Sequence, residues 1–368
     1  MRSKSVLALV TLLSACDVAG TPKKEDTTVA LTNHRAADSA IARAPVPPGG
    51  VTAVPADSAA GLHAITDTGI VTFFPGQPAQ GGILVAFAQG VQPEIPRCTW
   101  RGSPLACYRA GTGVLALVPL SADDAAGVST LTIDRPSGGP ITRQVTVASS
   151  QFGREIVLLK TDKAALLKNG GDITREARTL REMVSGESPT QRWSAAWRPP
   201  VMGKSDGYGV SRFYYRATDS SRAIKLDSAG NVRGAFGADT VALASGELAA
   251  WRHTGVDIAA PKRAYVTAPS AGVAEQAGSY TLTGNTLLID HGQGVHSAYF
   301  HLDTVLVKPG DVIRAGQRIG RVGSTGLATG PHLHFAVYLH GRDVDPTAWF
   351  DASRQSLTII RQSSTTGR

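Results

Sequence analysis

The chain has 368 residues and a net charge of +8 at pH 7, of which two units come from Arg2 and Lys4. That length exceeds one ordinary domain and points to two. A basic chain carrying an export signal disfavours a nucleic-acid partner and suits association with anionic polymers outside the cytoplasm.

In chain order, Arg2 and Lys4 precede an apolar core at residues 6–13 that is too brief to span a bilayer, the pattern of an export signal. Leu13-Ser14-Ala15-Cys16 resembles the lipobox of bacterial lipoproteins. The resemblance implies a signal peptide over residues 1–15, lipidation of Cys16, and a membrane anchor through its acyl chains. The protein is then expected in the cell envelope, facing the periplasm or cell wall. Residues 16–60 are rich in Ala, Thr, Pro, Asp and Ser, show no apolar period, and suit a flexible tether.

Residues 61–150 read as a small β-sandwich. Short apolar runs at residues 83–87 and 114–118, Leu131 with Ile133, and Val145 with Val147 are separated by turn-rich segments. Cys98 and Cys107 bracket a short loop, and in an oxidising compartment such a pair forms a disulfide, contributing about 2.5–3 kcal/mol by loop entropy. The roles open to this domain are spacer, lid or binder of an envelope protein partner. Residues 151–192 are expected to be a helical connector, with Asp172 as cap and Ile173, Ala177, Leu180 and Val184 on one face.

The chemistry concentrates in residues 193–350. His253 and Asp257 lie in WRHTGVDIAAP, and His332 and His334 lie in TGPHLHFAVYLH. Zinc takes imidazole and carboxylate ligands, and a catalytic site keeps three of them with a fourth position for water. A strand beginning near His332 would point His332 and His334 the same way. Pro261 forbids a continuing helix after Asp257, so a turn containing Gly255 is expected to join His253 to Asp257. The helix-borne His-Glu-x-x-His motif is absent, which excludes that class of protease.

The runs HTGVDIAAP, GNTLLIDHGQG, YFHL, VKPGDVIRAGQRIGRVGSTGLATGPHLHF and VDP occur in one order over about a hundred residues. In this the chain resembles the lysostaphin-type, LytM-like zinc endopeptidases of family M23, which cut peptide cross-links in bacterial cell walls. The resemblance implies a mainly β fold: the β-sandwich, the helical connector, then an antiparallel-β LytM/lysostaphin-like peptidase domain (a duplicated hybrid motif). It implies Zn2+ held by His253, Asp257 and His334, with His301 and His332 as catalytic histidines and peptidoglycan as substrate. Which histidine takes the proton and which steadies the oxyanion stays open, as does the bond cut. The alternative is a non-catalytic, wall-binding regulator of wall hydrolases. Relatives of that kind have typically lost zinc ligands, whereas all are present here.

Two departures from the family pattern stand out. Residues 214–252 look like an insertion near the cleft, and Lys262-Arg263 follows the AAP run where the family often has glycine. The remaining histidines carry no ligand spacing. His34 and His63 are N-terminal, His291 is expected in a turn, and His296 and His340 at the solvent or rim. Gly323, Gly326 and Gly330 are expected to serve tight turns, and residues 351–368 form a polar tail.

Overall fold

The computed structural model describes residues 71–74, 77–89, 95–110, 113–134, 139–168, 170–194, 197–216, 223–226, 232–233 and 247–350. The expected signal, Cys16, the tether and the tail lie outside these residues.

The first eight strands are β1 (Val71–Phe74), β2 (Ile83–Gln89), β3 (Arg97–Trp100), β4 (Ser103–Leu105), β5 (Cys107–Ala110), β6 (Gly113–Pro119), β7 (Gly127–Asp134) and β8 (Ile141–Val147). They form two four-stranded sheets, β1-β2-β6-β5 and β4-β3-β7-β8. On β7 buried and exposed residues alternate, which places Leu131 and Ile133 inward and the other face toward water. Every residue of β6 is buried. Val114, Ala116 and Val118 meet Leu131 and Ile133 between the sheets, while Leu115 and Leu117 join a second core with Trp193, Trp197 and Phe335. A sheet covered on both faces accounts for unbroken apolar runs where a half-exposed strand would alternate. Cys98 of β3 is bonded to Cys107 of β5 with their Cα atoms 6.1 Å apart, which ties one sheet to the other.

Next come β9 (Arg154–Leu159), α1 (Thr161–Leu166), α2 (Gly170–Val184), β10 (Ser205–Asp206), β11 (Ser211–Arg216), β12 (Ala223–Leu226), β13 (Val232–Arg233) and β14 (Glu247–Arg252). The expected helical connector therefore opens with a strand. A short apolar run such as residues 156–159 has no decisive period, and its partners, β11 and β12, lie some fifty to seventy residues further along. Strands β13, β12, β9, β11 and β14 make one sheet in that order, with β9 and β11 parallel. On α2, Ile173, Leu180 and Val184 are buried as their spacing requires. Asp172 is not the cap, because the helix starts at Gly170; it sits in the first turn and pairs with Arg175 at 2.9 Å. Glu176 shares the buried face, where it accepts the backbone N–H groups of Leu282 and Thr283 and the Thr283 hydroxyl. Among the described residues no helix is long and apolar enough to cross a membrane.

The remaining strands are β15 (Val256–Ala259), β16 (Tyr265–Thr267), β17 (Gly272–Tyr280), β18 (Gly284–Gly292), β19 (Val295–Val305), β20 (Val312–Ile313), β21 (Arg318–Val322), β22 (His332–Leu339) and β23 (Arg342–Val344), followed by α3 (Thr347–Phe350). They build a ten-stranded sheet with the path β10-β15-β22-β19-β18-β17-β20, to which β16, β21 and β23 attach. Its core holds Val256, Ile258, Leu287, Ile289, Tyr299 and Phe335.

Asp343 on β23 joins this sheet to the sandwich. Buried, it accepts hydrogen bonds from the Tyr208 hydroxyl at 2.9 Å and the Ser121 hydroxyl at 3.1 Å. Burial pushes its pKa up to about 6 against these hydrogen bonds. A folded value above the unfolded one of about 3.9 means that the folded state holds the extra proton between them. Stability is therefore lost as pH rises through that window and levels off above it. Asp343→Asn is expected to compare more favourably with wild type at pH 7.5 than at pH 4.5, as read from urea midpoints; a difference independent of pH would contradict this.

Candidate metal centre

Register brings the chemistry together. β15 runs antiparallel to β22, with Asp257 directly opposite His334 and Ala259 opposite His332. Opposed residues have Cβ atoms about 4.5–5.5 Å apart on one face, so Asp257 and His334 meet without further adjustment. His253 precedes the strand, and the turn through Gly255 folds it back. A Cβ at Gly255 would lie 2.5 Å from the Phe335 carbonyl oxygen and 2.7 Å from His334 Nε2, so only glycine lets the turn come this close.

Three donor atoms converge. His253 Nε2 is 3.2 Å from Asp257 Oδ1, Asp257 Oδ1 is 3.1 Å from His334 Nδ1, and the two ring nitrogens are 2.8 Å apart. Ligands about 2.0–2.1 Å from a tetrahedral zinc stand about 3.3 Å from each other, so the trio fits such an ion with little movement. The tautomer of His253 is fixed by its other nitrogen. Nδ1 lies 2.8 Å from the Gly207 carbonyl, which can only accept, so Nδ1 holds the proton and Nε2 offers a lone pair. Burial alone would raise the Asp257 carboxyl, but its interactions with His253 and with the Arg212 guanidinium hold it well below the usual range. His334 is pushed down to about 4, first by burial and then by His253 beside it.

The other two predicted histidines flank this trio. His301 lies on β19 where pairing with β22 ends, at Phe300, and pairing with β21 begins, at Leu302. The changeover places His301 at φ +59°, a left-handed conformation held by its backbone N–H on the Thr283 carbonyl at 2.8 Å. Its Nδ1 donates to the Thr325 carbonyl at 2.8 Å, and His332 Nδ1 donates to the Gly330 carbonyl at 2.9 Å. In the neutral form of each ring, Nε2 is then the nitrogen without a proton. Their centroids are 4.9 Å apart, and His332 Nε2 is 3.6 Å from Asp257 Oδ1. Burial, then His332 and His334, lower the His301 pKa well below its ordinary value.

A cleft of about 320 Å³ opens on these groups. It is lined by His253, Asp257, His301, His332 and His334, together with Val157 and Leu159 of β9, Ile173 and Leu180 of α2, and Tyr214 and Trp251 from β11 and β14. Residues read as an insertion thus line the cleft. Arg212, Glu155 and Glu176 also line it and escaped the sequence reading. The one available signal for Arg212 was its place just before residues 214–252, the stretch read as an insertion near the cleft.

The remaining histidines correct the sequence reading in part. His296 is completely buried, 3.4 Å from Glu275, and does not face solvent. His340 is mostly covered, stacked on Tyr108 and bonded to Glu187. His291 ends a strand, where it bonds the Ala271 carbonyl and the Ser297 hydroxyl, and burial lowers its pKa to about 4. Of the three glycines, Gly326 has the positive φ of a tight turn. Gly323 instead makes room for the Asp303 backbone N–H, 2.2 Å from where a Cβ would stand, and Gly330 shows neither feature.

Two imidazoles and one carboxylate around a point, with two further imidazoles beside it, follow the pattern of a mononuclear metallohydrolase centre. Residues 251–346 match the family "Peptidase family M23", and the chain carries a domain of that family of zinc metallopeptidases. The domain is 43% identical over 102 residues to the DD-carboxypeptidase/endopeptidase Mpg of Neisseria meningitidis, covering 27% of this chain and 24% of that protein. It is 41% identical over 93 residues to the peptidoglycan DD-endopeptidase ShyB of Vibrio cholerae, covering 25% and 22%. The chain thus spans about a quarter of the length of the curated relatives it matches. A crystal structure from Pseudomonas aeruginosa, assigned to peptidase M23, superposes with a TM-score of 0.52 at 25% identity and covers 74% of this chain and 94% of that one. Metal analysis of the purified chain is expected to find about one zinc per molecule, near none after His334→Ala, and wild-type content after His301→Ala. Equal loss in both variants would contradict the division between ligands and flanking histidines.

Proposed function

We propose that this protein is a zinc-dependent endopeptidase that hydrolyses peptide cross-links of peptidoglycan, with His253, Asp257 and His334 as the metal ligands. The observation that carries the reading is the convergence of His253 Nε2, Asp257 Oδ1 and His334 Nδ1, with two more imidazoles of fixed tautomer at their side. Bound zinc would supply a Lewis acid that brings water to reactivity near pH 7. His301 and His332 each keep Nδ1–H on a backbone carbonyl, and both line the cleft with the trio. One would take the proton of the attacking water on Nε2 and return it to the leaving amine; the other would steady the oxyanion as an imidazolium, whose Nε2 then carries a hydrogen to donate. The names of Mpg and ShyB favour a bond between two D-residues as the one cut.

The export signal and the lipobox-like run ending at Cys16 support a protein held on a membrane by lipid and facing the periplasm or wall. The organisation that follows is signal, tether, β-sandwich, connector, peptidase domain and tail, with the sandwich available to an envelope protein partner. Incubating purified sacculi with the protein is expected to turn cross-linked muropeptide dimers into monomers, and His334→Ala to abolish this. Dimers persisting with zinc-loaded wild type would exclude the endopeptidase. For the anchor, labelled palmitate is expected to enter the wild-type chain and not Cys16→Ser; labelling of both would remove that assignment.

A further inference from the structure

The Asp257 carboxylate is engaged from two sides. Its Oδ1 faces His253 and His334, while its Oδ2 accepts a hydrogen bond from Arg212 Nη2 at 2.8 Å. Arg212 Nε in turn donates to Glu155 Oε2 at 2.7 Å. The Arg212 and Glu155 side chains are 14% and 9% exposed, and they stand directly opposite one another on the parallel strands β11 and β9. Burial works against the Arg212 charge, yet Asp257 and Glu155 hold it firmly protonated. Neither residue lies in the segment that matches the family, residues 251–346.

We propose that Arg212, set in place by Glu155, is a positioning residue for the metal centre: it occupies Oδ2 so that Asp257 presents Oδ1 alone. The proposal rests on reading His253, Asp257 and His334 as metal ligands. It goes beyond that reading by assigning the centre two residues from outside the matched domain.

A carboxylate can offer a metal one oxygen or both, and it can turn about its last side-chain bond. A guanidinium on the second oxygen removes both freedoms. Its planar fork reaches Asp257 and Glu155 at once, which a lysine ammonium cannot do with the same geometry. Charge explains why Glu155 is needed as well. A lone guanidinium this close would repel a dication, whereas the Arg212–Glu155 pair is neutral and orients Asp257 without opposing the ion.

The neutrality of the pair also supplies the test. The double substitution Arg212→Met with Glu155→Met leaves net charge unchanged, and buried ion pairs often tolerate replacement by apolar side chains of similar volume. Zinc affinity is measured on the full chain by competition with a chromophoric chelator, and the cobalt(II)-substituted protein is examined by visible absorption. The double variant is expected to bind zinc about 10–100-fold more weakly, the usual effect of losing a partner that orients a ligand. Its cobalt bands are expected to weaken as a second carboxylate oxygen enters coordination. Arg212→Lys is expected to fall between it and wild type. A merely structural role would lower the unfolding midpoint of the metal-free chain and leave the cobalt bands alone. Wild-type affinity and bands in the double variant overturn the proposal, and if that variant does not fold, wild-type affinity and bands in Arg212→Lys do so. Failure of the wild-type chain itself to bind zinc overturns the metal reading and this proposal together.

Discussion

The pairing of β15 with β22 in one register is the constraint on which the centre rests. It sets Asp257 across from His334, and a slip of one residue would send Asp257 to the opposite face of the sheet. Burial guards against the slip. All of β22 after His332 is buried, so no shifted pairing could hide its apolar side chains as well. β22 also pairs on its other edge with β19, which carries His301. Three neighbouring strands thus deliver four of the five residues, and only His253 comes from a turn.

Much of that arrangement was legible in the sequence because the candidate ligands lie on short, strongly patterned segments. Alternation along HLHFAVYL places His332 and His334 on one face, and Pro261 and Gly255 mark the turn and the strand beside it. Four of the eight sandwich strands, β2, β6, β7 and β8, were legible for the same reason, whereas β1, β3, β4 and β5 carry no comparable apolar run. The connector was not. Residues 156–159 become a strand only through β11 and β12, whose positions no local pattern announces. Arg212 and Glu155 were missed because an isolated charged residue on a strand looks like an exposed one until its partners are known. His296 was assigned to the solvent side on polarity alone, whereas the sheet buries it beside Glu275.

The sandwich is more than an appendage in physical terms. Its β2 and β6 bury one face among their own strands and place the other in a core shared with β22 and β23, so the second face depends on the peptidase sheet for apolar cover. Asp343, Tyr208 and Ser121 add a polar contact at the same boundary. The cleft is likewise shared, since residues of β9, α2, β11 and β14 line it together with the histidines. Any change in how those elements pack is felt where substrate would enter.

The placement of β22 has a consequence for the order in which a growing chain can be completed. It is among the last strands in sequence, yet it lies between β15 and β19, and the two imidazole donors are 81 residues apart. Until residues 332–339 have been synthesised, β15 and β19 each keep a bare edge, the kind of surface that invites wrong partners. A nascent chain at that stage holds His253 and Asp257 but has no second imidazole to complete the set. The centre is finished, and both edges are covered, in the same closing step.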